Sequence, residues 1–168
     1  VTMSSFDFST TLGNAFFNTP IFTASGCASS GKELSQFFAL KDIGAVVTKS
    51  VMNKPRYGRP TPRMAETPSG MLNSIGLQGP GIDYFLANDL PWLVEQQSRV
   101  IVSIAGETVE EYATLARKVR AVAGISALEV NISCPNVENR GLVFACDPDA
   151  SRRVIDGVRK TIGGEIPI

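Results

Sequence analysis

The stretch Glu129–Asn136 reads Glu-Val-Asn-Ile-Ser-Cys-Pro-Asn, and its residue types are those of chemistry rather than of packing. Val130 and Ile132 alternate with Asn131 and Ser133 as in a strand. Yet two amides, a hydroxyl and a thiol fall within residues 131–136, where the end of a buried strand should be apolar. Polar groups buried at a strand's carboxyl end cost free energy unless paired, so a polar ligand above the sheet is their expected partner. The residues alone leave open a plainer alternative, a turn in which Pro135 stops the strand and Asn136 supports the bend. The chain has no histidine. A general base near neutral pH must therefore be a carboxylate, a lysine or a thiolate, which makes Cys134 the candidate.

At 168 residues, 43% hydrophobic and 19% charged, the chain can bury a core, and residues 1–168 read as one domain or part of one. Sixteen basic and sixteen acidic residues cancel, with no Lys/Arg cluster to neutralise a run of phosphates, so nucleic acid is not an expected partner. No apolar run approaches the roughly 18 residues of a spanning helix, and the first residues lack the zones of a signal peptide; no membrane association and a cytoplasmic location are expected. Cys27, Cys134 and Cys146 are widely spaced, without a Cys-x-x-Cys. That argues against a disulfide framework, a metal site and an internal iron–sulfur cluster.

The elements that must position these groups follow from periodicity. Phe6 to Asn18 reads as a hairpin turning at or near Gly13-Asn14. Pro20–Gly26 is the first strand, and Gly31–Lys41 carries helical spacing through Leu34, Phe37, Phe38 and Leu40. Ala45–Val51 is an almost wholly apolar strand, expected to be central and buried on both faces, with Lys49 and Ser50 at its far end. Met52–Pro80, rich in proline and glycine, is too long for a usual strand-to-helix connection and reads as a long ordered loop. A helix from Ile82 to about Gln97, interrupted at Leu90-Pro91, precedes a third strand, Arg99–Gly106. Thr108-Val-Glu-Glu111 has capping-box spacing before a helix with Val109, Tyr112, Ala113, Ala116 and Val119 on one face. Ala127–Ser133 is the fourth strand. Its helix begins near Asp147-Pro148, carries the stripe Val154, Ile155, Val158 and Ile162, and is closed by Gly163-Gly164; Glu165–Ile168 starts a fifth strand. Parallel strands joined by helices gather their carboxyl ends on one face, so Ser25, Lys49, Ser103, Asn131 and Cys134 should converge. No Gly-x-Gly-x-x-Gly follows a strand, which favours a TIM (β/α)8 barrel over an open doubly wound sheet.

Several motifs in order, Thr-Ala-Ser-Gly26, Val-Val-Thr-Lys-Ser50, Pro-Arg63, Gly70-Met-Leu-Asn-Ser-Ile-Gly-Leu77, Ser-Ile-Ala-Gly106 and the stretch ending at Asn136, resemble the class 1 dihydroorotate dehydrogenases. The resemblance runs through nearly the whole chain, and Leu72–Gln78 is worded more like class 1B. It implies a flavin enzyme on a TIM barrel that oxidises dihydroorotate to orotate in pyrimidine synthesis. FMN would be the cofactor, the assembly a homo-oligomer, and a separate subunit with FAD and an iron–sulfur cluster would pass electrons to NAD.

Residue by residue, the resemblance implies Cys134 as the base that takes the substrate's proton. Lys49 would contact both flavin and substrate, and Asn73, Asn131 and Asn136 would bind orotate. Ser74, Ile75, Gly76 and Leu77 would line that pocket with backbone groups. Ser25, Gly26, Ser50 and Ser103 would face FMN with Lys49 and Asn131. Ser103 stands where many relatives carry a flavin-contacting asparagine, and Gly79 where most carry asparagine. Cys27 reads as a small packing residue and Cys146 as a loop thiol. Two other readings are a related flavin barrel acting on another dihydropyrimidine and a non-catalytic truncated fragment. A barrel typically takes about 250 residues, so this sequence is expected to supply an N-terminal hairpin, about four βα units and the start of strand five.

Overall fold

Val and Ile crowd the segments around residues 45–51 and 99–106, and such residues suit strands covered on both faces. The computed structural model describes residues 6–133 and 143–168. In it an antiparallel hairpin comes first, β1 (Thr10–Leu12) with β2 (Ala15–Phe17). Leu12 stands opposite Ala15, so Gly13-Asn14 is the turn, with Gly13 at φ +58°, as two-residue hairpin turns require. Next comes β3 (Val46–Val47), followed by a second antiparallel hairpin, β4 (Met64–Thr67) with β5 (Gly70–Asn73). After these, β6 (Val100–Ile104) and β7 (Ala127–Val130) complete a parallel sheet of order β3-β6-β7.

The helices that cover this sheet are built by their own sequences. A continuous helical run begins as α1 (Ile82–Tyr84), passes through a π-helical segment (Phe85–Asp89) and ends as α2 (Leu90–Glu95). Pro91 has no N–H to give, and the expected interruption takes the form of a widened turn rather than a break: Leu90 N–H donates to the Phe85 carbonyl five residues back. The third helix, α3 (Val109–Arg120), starts at Thr108, whose hydroxyl accepts from Glu111 N–H at 3.2 Å, while the Glu111 carboxylate accepts from Glu107 N–H at 2.7 Å. Last, α4 (Pro148–Ile162) is capped by Asp147, which accepts from the N–H groups of Asp149 and Ala150. Val46, Val100, Val102, Ile104 and Leu128 pack on one side of the sheet against Leu93, Leu115, Val119, Val154 and Ile162. Ala45, Val47, Ile101 and Ala127 face the other way, where Phe17 of β2 seals the base. Among the described residues no helix is long and apolar enough to cross a membrane.

Several elements depart from the sequence expectation. The first strand is reduced to a parallel bridge between Phe22 and Ala45. Gly31–Lys41 forms two 3-10 turns, Leu34–Gln36 and Leu40–Asp42, not a helix. Phe37, on the expected apolar stripe, is 82% exposed, no side chain caps either turn, and Leu40 folds back against Gly31, where a Cβ would lie 3.0 Å from Leu40 Cδ1. Within the long loop the β4–β5 hairpin was not anticipated, because its strands carry no alternation and are exposed on both faces. The second strand does lie as expected, with the Phe22 bridge on one side of it and β6 on the other. Ile155 lies on the exposed rim of α4, and Leu115 joins the buried face of α3. Cys27 is exposed rather than packed. Glu165–Ile168 is no strand, although Leu128 N–H donates to the Pro167 carbonyl at 2.9 Å and holds that segment beside β7.

Leu115 is fully buried. Leu115→Ala should therefore cost about 2–5 kcal/mol in urea unfolding, whereas Ile155→Ala should cost no more than about 0.5 kcal/mol, the scale of a surface change. Equal losses at the two positions would contradict the buried face described above.

Candidate active site at the strand ends

The site begins with a count of residues. Val47 pairs with Ile101 and Val51 bridges Ile104, so the second strand takes four steps where β6 takes three. One extra residue in a strand is a β-bulge, and it reverses the side-chain alternation beyond it. Val47 accordingly packs with the inward cluster, while Val51, four residues on, joins the helix-side core with Val46. Just before the bulge the Lys49 N–H, on the strand edge away from β6 like that of Val47, donates to the Ser29 carbonyl at 2.9 Å. Ser50 is turned inward, onto the same face as Ser103.

There the polar groups satisfy one another. Ser103 is completely buried, and its hydroxyl meets that of Ser50 at 2.8 Å. Asn131 Nδ2 donates to Ser50 Oγ at 2.9 Å, and the backbone N–H of Ser103 donates to Thr48 Oγ1 at 3.2 Å. Asn131 is itself fixed from three sides. Its N–H donates to the Ile104 carbonyl at 2.9 Å, its carbonyl accepts from the Tyr112 hydroxyl at 2.6 Å, and its Oδ1 accepts from Ser133 N–H at 3.2 Å. Leaving any of these buried groups unpaired would cost about 1–3 kcal/mol. The polar tier sits between the apolar base under Phe17 and an apolar rim of Met52, Leu77 and Ala105.

Beside this tier opens a cavity of about 350 Å³ lined by Lys49, Ser50, Thr48, Ile75, Gln78 and Asp89, among others. The Met52–Pro80 excursion forms one wall and is pinched shut by paired backbone bonds between Arg56 and Gly79 (2.8 and 3.0 Å). Gly79 thus acts here through its backbone. Arg56 also reaches Glu107, past the end of β6, at 2.7 Å. Gly76 and Leu77 are buried with positive φ, +81° and +52°. For leucine that conformation costs of order 1–3 kcal/mol and is held by its surroundings.

The expected site residues fall into groups. Lys49, Ser50 and Ile75 share the cavity, and Ser50, Ser103 and Asn131 form the hydrogen-bonded tier. Gly26 lines an adjoining hollow with Ser29, next to Ser25. Asn73 and Ser74 are exposed at the end of β5, away from the cavity lining. Cys134 and Asn136 lie outside the described residues. Sequence reasoning missed Thr48, Tyr112 and Asp89. An aspartate within an apolar helical pattern just before Pro91 was the available signal for the last. Asp89 pairs with Lys32 at 2.8 Å, and this hydrogen bond raises the Lys32 pKa above its ordinary value. A raised lysine pKa adds stability that is present below the unfolded value and lost only as pH climbs past it, so the pair persists at neutral pH.

A family model described as "Dihydroorotate dehydrogenase" matches residues 8–167. The chain belongs to the dihydroorotate dehydrogenase family. It is 44% identical over 149 residues to the "Dihydroorotate dehydrogenase B (NAD(+)), catalytic subunit" of Anoxybacillus flavithermus, covering 89% of this chain and 47% of that protein. The protein of the same description from Geotalea daltonii is 46% identical over 155 residues, covering 92% and 51%. These B-type names agree with the class 1B wording of Leu72–Gln78, and the chain spans about half the length of the curated relatives it matches. A crystal structure described as DHODH in complex with ferulenol, from Eimeria tenella, superposes with a TM-score of 0.72 at 19% identity, over 92% of this chain and 44% of that one. At that identity it shows a shared α/β fold.

Tyr112→Phe keeps the ring of this dehydrogenase-family tier and deletes the hydroxyl that donates to the Asn131 carbonyl. It should lower stability by about 1 kcal/mol in urea unfolding with an unchanged helical circular dichroism signal; an unaltered midpoint would remove Tyr112 from the support of Asn131.

Proposed function

We propose that residues 1–168 are part of one flavin-binding TIM-barrel domain that oxidises dihydroorotate to orotate in pyrimidine synthesis. The observation that carries this reading is the Ser50–Ser103–Asn131 tier beside Lys49, at the carboxyl ends of sequential parallel strands, in a chain of this family. The names of the relatives, catalytic subunits linked to NAD(+), support electron delivery to NAD through a separate subunit; that this subunit carries FAD and an iron–sulfur cluster is what the class 1B resemblance implies.

The residues fit the ring end of FMN. Around Gly26 no atom of the described residues, its chain neighbours apart, lies within 4 Å of where a Cβ would stand, Ser25 beside it is small, and the tier offers hydroxyl and amide groups to a polar ring edge. Ser25, Gly26, Lys49, Ser50, Ser103 and Asn131 would hold that end. When bound, FMN supplies the acceptor for the hydride leaving one ring carbon of the substrate. Lys49 places a cation where negative charge develops and where the substrate carboxylate must sit. Asn131 and Asn136 would present donors and acceptors to the amide groups of the substrate ring beside the backbone of Ile75 to Leu77, while Asn73 and Ser74, exposed and away from the cavity lining, would join them only with their ribbon re-seated. Cys134 takes the proton from the carbon next to the hydride donor; a thiol of free pKa about 8.5 serves near neutral pH once its surroundings favour the thiolate.

Anaerobic addition of dihydroorotate to the complete enzyme should bleach its blue flavin absorbance. Cys134→Ala should retain the flavin and slow that bleaching about 10²-fold or more, and Cys134→Ser should keep some activity with a pH optimum moved upward. Identical rates and pH profiles in all three proteins would take Cys134 out of the mechanism, and a dihydropyrimidine without a carboxylate bleaching equally well would overturn the substrate.

A further inference from the structure

The chemistry above leaves unused the carboxylate at the floor of the cavity. Asp89 is only 8% exposed, closes the π-helical segment and lines the same cavity as Lys49. Its Oδ1 meets Lys32 Nζ at 2.8 Å, and that ammonium stands 5.7 Å from the centre of the Trp92 ring, within cation–π range. A carboxylate this buried is costly without a cation, so Lys32 is held to it. Lys32 in turn ends a tight loop. Gly31 N–H donates to the Ala28 carbonyl at 2.6 Å, and between them Ser29 adopts φ +50°, a left-handed conformation that a serine keeps only where its surroundings impose it. The carbonyl of this constrained Ser29 is the one that receives the Lys49 N–H, on the strand edge away from β6.

We infer that the Lys32–Asp89 pair is a positioning device. It clamps residues 28–32 onto the helix floor and, through Ser29, fixes the backbone from which Lys49 reaches the cavity. A π-helical turn in the middle of the run is the means by which Asp89 comes to face that loop, in keeping with the frequency of such turns at functional sites. This inference rests on the assignment of Lys49 to flavin and substrate made above.

The test compares the complete enzyme with Lys32→Met, Lys32→Arg and Asp89→Asn. Lys32 is half exposed, so its variants keep the fold even where loss of the Asp89 charge does not. Lys32→Met should slow flavin reduction by dihydroorotate about ten- to a hundredfold, the scale of a displaced positioning group. It should also lower the flavin midpoint potential, because a misplaced Lys49 stabilises the reduced ring less. A merely structural pair would leave that potential alone. Lys32→Arg, which keeps the charge, should recover most of both, and Asp89→Asn should resemble Lys32→Met. A folded Lys32→Met enzyme with wild-type potential and reduction rate, or a Lys32→Arg enzyme as impaired as Lys32→Met, overturns the clamp alone. A wild-type enzyme whose flavin dihydroorotate does not bleach overturns the reading of the site and the clamp with it.

Discussion

Side chains alternate strictly along a strand, so the single residue by which the second strand outruns β6 decides what faces the strand ends. In unbroken register Val51 would follow Val47 to the inward face and Ser50 would be pressed against the helices, an unpaired hydroxyl in an apolar layer. The extra residue exchanges them. Val51 completes the helix-side core, and Ser50 meets Ser103 and Asn131. Beside it, on the strand edge away from β6, the Lys49 N–H meets Ser29. One local irregularity thus serves packing on one side of the sheet and polar satisfaction on the other.

Much of this arrangement is legible in the residues alone. The Gly13-Asn14 turn, the parallel strands around Val46 and Val100, the Thr108 and Asp147 caps and, Ile155 and Leu115 apart, the buried stripes of α3 and α4 follow from local rules, because there periodicity, propensity and burial agree. What stayed hidden depended on distant partners. Spacing around Phe37 suggested a helix, but nothing covers that side chain, and Leu40 instead finds Gly31. The β4–β5 ribbon has no apolar face, so periodicity has nothing to report.

At the site, residue types were easier to read than geometry. Asn131, Ser50, Ser103 and Lys49 stood out as polar groups at the ends of apolar strands, and the sheet does bring them together. The bulge was invisible, since Ala45–Val51 reads as an uninterrupted strand. Asp89 was overlooked because its partner Lys32 lies far away in sequence, and a buried charge is recognised by its partner. Asn73 and Ser74 show the opposite case: a motif points to them, while the folded chain leaves them on an exposed ribbon away from the cavity lining.

That ribbon differs in kind from the sheet beneath it. Both of its faces meet solvent, with Met64, Met71 and Leu72 more than half exposed, whereas every residue of β6 is buried. Two strands alone are marginally stable in water, and a strand without a buried face is weakly pinned in register. Its anchorage lies at its root, where Arg63 holds the Tyr57 carbonyl and Gln78 and where Arg56 pairs with Gly79. The free energy of opening is therefore graded across the molecule: the ribbon can lift or re-seat as a unit on that root while the parallel strands keep every bond. The cavity is walled by the root rather than by the ribbon, through Ile75, Gln78 and Gly79, so motion of the ribbon leaves that wall and the polar tier beside it in place.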